Sequence, residues 1–192
     1  IDGGAATDIV LDGRLTPLML AAVNCPETVV RSLVDKGAEV DAADAMGRTA
    51  IWFAANSGNQ RAVAMLLAKN ANQRIADKEG QTPLFKALEN GHAAVGQTLV
   101  GQGTDLEQRS PAGNTALILA AKGGLIEMVG SLLRKGANPN ARNNQGYTAL
   151  MMAAREGQAA IAKTLLHSGA DRRLRNKKRE TAIDIASAAG HA

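Results

Sequence analysis

The hexapeptide Thr16-Pro17-Leu18-Met19-Leu20-Ala21 returns in altered form as Thr82-Pro83-Leu84-Phe85-Lys86-Ala87, and the interval between them sets the plan of the chain. Threonine recurs at 16, 49, 82, 115, 148 and 181, every 33 residues and without an insertion. Glycines keep the same phase. Gly47, Gly80, Gly113 and Gly146 stand two residues before a threonine, and Gly58, Gly91, Gly124, Gly157 and Gly190 nine residues after one. Leu33, Leu66, Leu99, Leu132 and Leu165 form a further column; Gly37, Gly103, Gly136 and Gly169 form another, with Asn70 in the second copy. A fixed period of this length marks supersecondary units that bury their apolar faces only by stacking on one another.

Each column has a physical reading. The threonine is a helix N-cap whose hydroxyl takes up an orphan amide. Proline follows it at 17 and 83, the first helical position, where a missing N–H costs nothing. About two turns of helix follow, with paired small residues such as Ala21-Ala22 and Ala120-Ala121 on the packed face. The mid-repeat glycine ends that helix with positive φ. A second helix then carries apolar residues at i, i+1, i+4 and i+5, as in Met128, Val129, Leu132 and Leu133. The closing glycine ends it in turn, and Asn70 substitutes because asparagine visits the left-handed region more readily than most residues. A polar stretch with a further glycine makes a hairpin-like loop before the next threonine.

In these motifs the chain resembles the ankyrin repeat family. The family's Thr-Pro-Leu-His-x-Ala core matches the two hexapeptides, and its Gly-Ala-Asp-x-Asn closure matches Gly136-Ala137-Asn138-Pro139-Asn140. The resemblance covers all 192 residues and implies an all-α solenoid of stacked helix–turn–helix units with hairpin-like loops. It divides the single domain into repeats 14–46, 47–79, 80–112, 113–145 and 146–178, a partial repeat 179–192, and a segment 1–13 read as the tail of an upstream repeat or a cap. The last copy lacks an outer helix, so the parent polypeptide is expected to be longer, or Ile183, Ile185 and Ala186 are covered by the fifth copy.

The sequence departs from the family in places. Met19, Trp52, Phe85, Ile118, Met151 and Asp184 stand where the family has histidine. The third copy carries Leu88 for a small alanine and Gly96 inside its outer helix, where glycine costs about 1 kcal/mol relative to alanine. Residues 92–106 are expected to be the softest segment.

Composition excludes several classes. The chain is 45% hydrophobic but only 2% aromatic, so Ala, Leu, Val, Ile and Met must build the core. The one cysteine, Cys25, rules out an intrachain disulfide and a multi-cysteine zinc site. No apolar run approaches the ~18 residues of a membrane span. The three histidines, 92, 167 and 191, read as structural, and no phosphate-cradling loop or carboxylate pair recurs. An enzyme is therefore not expected, and no cofactor, metal or small-molecule substrate is called for. The lone free cysteine favours the cytoplasm and leaves a bacterial periplasm open.

The formal net charge of +4 is unevenly spread: residues 1–47 hold eight acids and three bases, the remainder ten acids and nineteen bases. By resemblance, the partner surface is concave, made of loop tips and the open face of the inner helices. The matching positions are Met46, Arg48, Lys78, Arg109, Asn114, Arg142, Asn144, Tyr147 and Arg175 on the loops, and Phe53, Lys86, Lys122 and Arg155 on the inner helices. Arg109, Arg142 and Arg175 lie six residues before a threonine and make a row of guanidiniums suited to bidentate carboxylate or phosphate contacts. Tyr147, expected to be exposed, reads as an anchor. The function expected is recognition of another protein with an acidic surface, by a chain that is monomeric alone, as a scaffold or as an inhibitor that occludes its partner. Arg172 to Arg179 packs six bases into eight residues. A polyanion such as nucleic acid or an acidic surface is the alternative partner there, although no stacking aromatic stands in the run. A structural spacer in a longer protein is the other alternative.

Overall fold

The computed structural model describes residues 14–101 and 104–191. These residues carry eleven helices and no strand beyond one antiparallel bridge, Ala43 with Thr49. They fall in two compact units, Ile1–Thr104 and Asp105–Ala192. The upstream tail or cap proposed for 1–13 lies outside the described residues.

In the first unit, α1 (Pro17–Asn24), α3 (Ala50–Ser57) and α5 (Pro83–Glu89) pack side by side as an inner row. The helices α2 (Glu27–Asp35), α4 (Gln60–Ala68) and α6 (Ala93–Gly101) form the outer row. In the second unit the inner row is α7 (Ala116–Lys122), α9 (Ala149–Arg155) and α11 (Ala182–Ala188); the outer row is α8 (Ile126–Arg134) and α10 (Ala159–His167). Alanines let the inner helices approach: Ala22, Ala54, Ala55, Ala87, Ala120, Ala121 and Ala153 are all fully buried. The leucine column closes the core between rows. Leu66, Leu99, Leu132 and Leu165 have no exposed surface, and each truncation to alanine is expected to cost about 2–5 kcal/mol. Leu33, in the outermost helix of the first unit, is only half-buried.

The caps follow the sequence with one exception. Thr16, Thr82, Thr115, Thr148 and Thr181 each accept the N–H three residues on, at 3.3–3.4 Å. Thr49 has the same extended backbone but makes no such bond, and its buried hydroxyl has no partner. The turn glycines take positive φ as expected, 77° at Gly58 for example, and Asn70 takes 62° in its glycine column. Arg14 and Arg179 hold the pre-threonine glycine position of the first and last copies and also enter the left-handed region, at 63° and 67°. The third copy keeps its outer helix through Gly96, and Leu88 is buried; of the segment 92–106, residues 102 and 103 lie outside the described residues.

Candidate protein-binding faces

The loop tips are built by a column that the sequence reading passed over. Asp44, Asp77, Ser110, Asn143 and Asn176 stand five residues before a threonine, each three residues before the left-handed Gly47, Gly80, Gly113, Gly146 or Arg179. Asp44 Oδ1 accepts the N–H groups of Met46 and Arg48, both at 2.8 Å. Asp77, Asn143 and Asn176 repeat the pattern with the N–H groups two and four residues on. A short side-chain acceptor followed by a left-handed residue is a turn signature, so this column was legible in principle. Neighbouring tips are also joined by main-chain bonds: Lys78 N–H to Met46 O at 2.8 Å in the first unit, and Asn144 N–H to Ala112 O at 3.1 Å and Lys177 N–H to Gln145 O at 3.0 Å in the second.

On the first unit, Arg48 Nη2 lies 2.6 Å from the buried carboxylate of Asp44, and its guanidinium carbon stands 4.8 Å from the ring centroid of Phe53 and 5.3 Å from that of Trp52. The two rings meet edge to face, with centroids 5.4 Å apart. Lys86 Nζ is 5.9 Å from the Trp52 ring and 3.6 Å from Glu89 Oε2. Trp52 and Phe85 are buried packing residues; Phe53 is half-buried. Burial pushes the Asp44 carboxyl up. The Arg48 side-chain bond, the Arg48 and Met46 N–H groups and the Arg48 charge outweigh it, and hold the group below the ordinary value of 3.8.

The inner-helix column Leu20, Phe53, Lys86, Leu119 and Met152 divides between the units. Leu119 and Met152 are buried in the second, whereas Leu20 is 47% exposed in the first, and Met46 on its loop is 41% exposed. Lys78 is exposed beside it.

On the second unit the arginine row has structural bonds that the sequence did not reveal. Arg109 donates through Nη1 to Arg142 O at 2.6 Å and to Gly113 O at 3.2 Å; Arg142 donates through Nη2 to Arg175 O at 2.6 Å and through Nε to Gly146 O at 3.4 Å. Arg175 donates to Arg179 O. The row is thus a brace between tips, and all three arginines are exposed. Asn143 donates to Asn114 at 2.8 Å, and Asn144 to Pro111 O at 2.8 Å. Tyr147 is half-buried where the sequence suggested exposure, and the Arg155 guanidinium lies 5.8 Å from its ring centroid. Lys122 and Arg155 are exposed, the latter 3.1 Å from Glu156.

The remaining chemistry-bearing residues have structural surroundings. His92 Nε2 lies 3.1 Å from Asn56 O, and a side chain at Gly58 would strike its ring. His167 Nδ1 lies 2.7 Å from Lys163 O on its own helix. Cys25 is half-buried at the C-cap of α1. Among the described residues no group of three or more His, Cys, Asp or Glu could hold a metal ion, and no helix is long and apolar enough to cross a membrane.

Stacked pairs of short helices, with braced turns at one edge, define a helical repeat protein. A family model described as Ankyrin repeats (3 copies) matches residues 18–110, 97–176 and 138–192, and the chain belongs to the ankyrin repeat family. Two solved structures are similar over most of its length. The ankyrin repeat domain of Bcl-3, a unique member of the IkappaB protein family, is 32% identical, with 96% of this chain and 83% of that one covered and a TM-score of 0.82. A chain in the complex of the predatory endopeptidase Bd0816 from Bdellovibrio bacteriovorus with the immunity protein Bd3460 is 33% identical, with 90% and 91% covered and a TM-score of 0.82. No curated protein matches the sequence.

Proposed function

We propose that this chain is a non-catalytic module that binds another protein through its inner-helix and loop-tip faces. One observation carries the reading. The column that buries Leu119 and Met152 in the second unit leaves Leu20 open in the first, on the same inner row as Phe53, with Met46 exposed on the loop between α2 and α3. Apolar side chains left open on a face that is packed elsewhere mark a surface for another macromolecule. Arg48 and Lys86 add cations to that face, each met there by a carboxylate of this chain, Asp44 and Glu89. A rigid repeat stack loses little ordering entropy on binding. A solved relative with this fold belongs to a structure that pairs an endopeptidase with its immunity protein, which supports occlusion of a partner over passive scaffolding.

The test is affinity capture from the source extract, followed by mass spectrometry and by repetition with Leu20→Glu and Met46→Glu. Loss of one partner in both variants, with helical circular dichroism intact, is the expected result. Undiminished capture by both overturns the reading.

A further inference from the structure

The turn-forming acceptor of the loop tips is Asp44 or Asp77 in the first unit, but Ser110, Asn143 or Asn176 in the second. Any short side-chain oxygen builds such a turn, and a neutral one leaves the tip without a carboxylate. In the first unit Arg48 is matched by Asp44, and Lys78 stands between Asp77 and Glu79 in the chain. In the second unit Arg109, Arg142, Arg175, Lys177 and Lys178 stand on the tips, and all five are exposed. The ion pairs of that unit join Arg155 to Glu156 and Arg173 to Asp171; among the described residues none includes any of the five. Glu107 and Glu180, close to the row in sequence, are bonded elsewhere, to the Asn138 N–H and the Asn176 side chain. Asp184, which feels the Arg175 charge, accepts the N–H and the hydroxyl of Thr181.

The braces set these charges in file. Arg109 Nη1 bonds the main-chain oxygen of Arg142, and Arg142 Nη2 that of Arg175, so each guanidinium reaches the next tip. Their exposure is a property of the tip. Arg142, Asn144 and Gln145 are exposed although the following loop bonds to theirs, and Arg175, Lys177 and Lys178 are their counterparts 33 residues on. A nucleic acid strand would find no ring to stack on, since Tyr147, the one aromatic residue of the unit, is half-buried beside Arg155. We propose that the tips of the second unit bind an extended acidic segment of a partner protein, laid across successive loops with its carboxylates against this row. The proposal rests on the reading of the chain as a protein-binding module. It adds to the apolar surface at Leu20 and Met46 a second one, held by charge, on the other unit.

The probe is a fluorescein-labelled, unstructured glutamate-rich peptide, titrated against the full chain by fluorescence anisotropy. Beside it stand the same peptide with glutamine for glutamate, and a single-stranded and a duplex oligonucleotide of equal charge. The glutamate peptide is expected to saturate, to bind roughly tenfold tighter than the glutamine peptide, and to outbind both oligonucleotides. Lys177→Glu and Lys178→Glu are each expected to weaken it roughly fivefold. Lys78→Glu makes the same change at the phase of Lys177 but in the first unit, and is expected to weaken it by less than about twofold. Leu20→Glu is expected to leave it unchanged, so that failure of the apolar face and failure of this row are read separately. Absence of saturation, equal binding of the glutamine peptide, or tighter binding of either oligonucleotide overturns the proposal. So does a loss on Lys78→Glu equal to that on Lys177→Glu, which would make the net charge of the chain the whole cause.

Discussion

Arg142 donates through Nη2 to the main-chain oxygen of Arg175, 33 positions later, at 2.6 Å. Arg109 makes the same bond to Arg142. A residue type that the sequence suggested for gripping a partner thus also ties one loop tip to the next. Arg142→Ala is expected to lower stability by about 1 kcal/mol, the net worth of a typical hydrogen bond. Arg142→Lys is expected to recover little of it, since an ammonium has no planar fork to span two carbonyls. Urea unfolding followed by circular dichroism reads both, and an Arg142→Ala midpoint equal to wild type would mean that water replaces the brace at no cost.

Asp44 predicts an acid limb. Its carboxyl titrates below the ordinary 3.8 in the folded chain. A group whose folded pKa is depressed contributes its full stabilisation above the unfolded value and loses it as pH falls through the folded one. Asp44→Asn keeps the acceptor for the turn, as Asn143 and Asn176 do in their own loops, and removes the ion pair with Arg48. Between about pH 5 and about pH 2 the variant is therefore expected to lose less stability than wild type. Parallel curves through that range would count against the pair as a source of acid sensitivity.

The two threonines Thr49 and Thr148 separate a cap from its geometry. Thr148 Oγ1 accepts the Met151 N–H at 3.3 Å, while the Thr49 hydroxyl is buried without a partner. Thr148→Val is expected to cost about 1 kcal/mol, the usual loss of an N-cap. Thr49→Val removes an orphaned hydroxyl and keeps the shape, so it is expected to be neutral or stabilising. Equal losses at both sites would show that the hydroxyls contribute by some route other than capping.

The repeat, its helices and its caps were legible because they are dictated by spacing. A threonine or glycine at a fixed phase meets the same backbone need in every copy. The exposure of individual side chains was less so, because it depends on which neighbour leans over them. Tyr147 is half-buried beside Arg155, and Phe53 beside Arg48. The column that exposes Leu20 buries Met152, a difference that no single-copy pattern contains. The arginine brace was also hidden, since a bond between residues 33 apart needs the rise of the stack as well as the sequence. The turn-forming column from Asp44 to Asn176 was in plain view and was missed because its members differ in type while sharing one acceptor function.

Gly96 lies inside α6, at the position that Val30, Val63, Val129 and Ala162 hold in the other outer helices. Glycine adds backbone entropy to the unfolded helix. Amides of 93–101 are expected to exchange with solvent faster than those of 60–68 in the same unit. Protection in α6 equal to that in α4 would contradict the expectation that the third copy is the softest.

The glycines differ in what surrounds them, and that difference sets the last prediction. Gly146 has φ of 80°, and a Cβ there would stand 3.1 Å from both Asn176 Cα and Lys177 N, main-chain atoms that cannot swing aside. Gly169 has φ of 89° and meets nothing within 4 Å. Gly169→Ala therefore carries only the left-handed cost, about 1 kcal/mol. Gly146→Ala adds a displacement of the neighbouring tip, for a further 1–3 kcal/mol or so. Arg179 is the converse case: it already holds a left-handed backbone at 67° in the column where Gly146 stands. Its main-chain oxygen, which Arg175 bonds, survives substitution. Arg179→Gly is accordingly expected to relieve strain and raise stability by up to about 1 kcal/mol. Thermal unfolding of the three variants ranks them, and a Gly146→Ala variant no weaker than Gly169→Ala would mean that the tips are free to part.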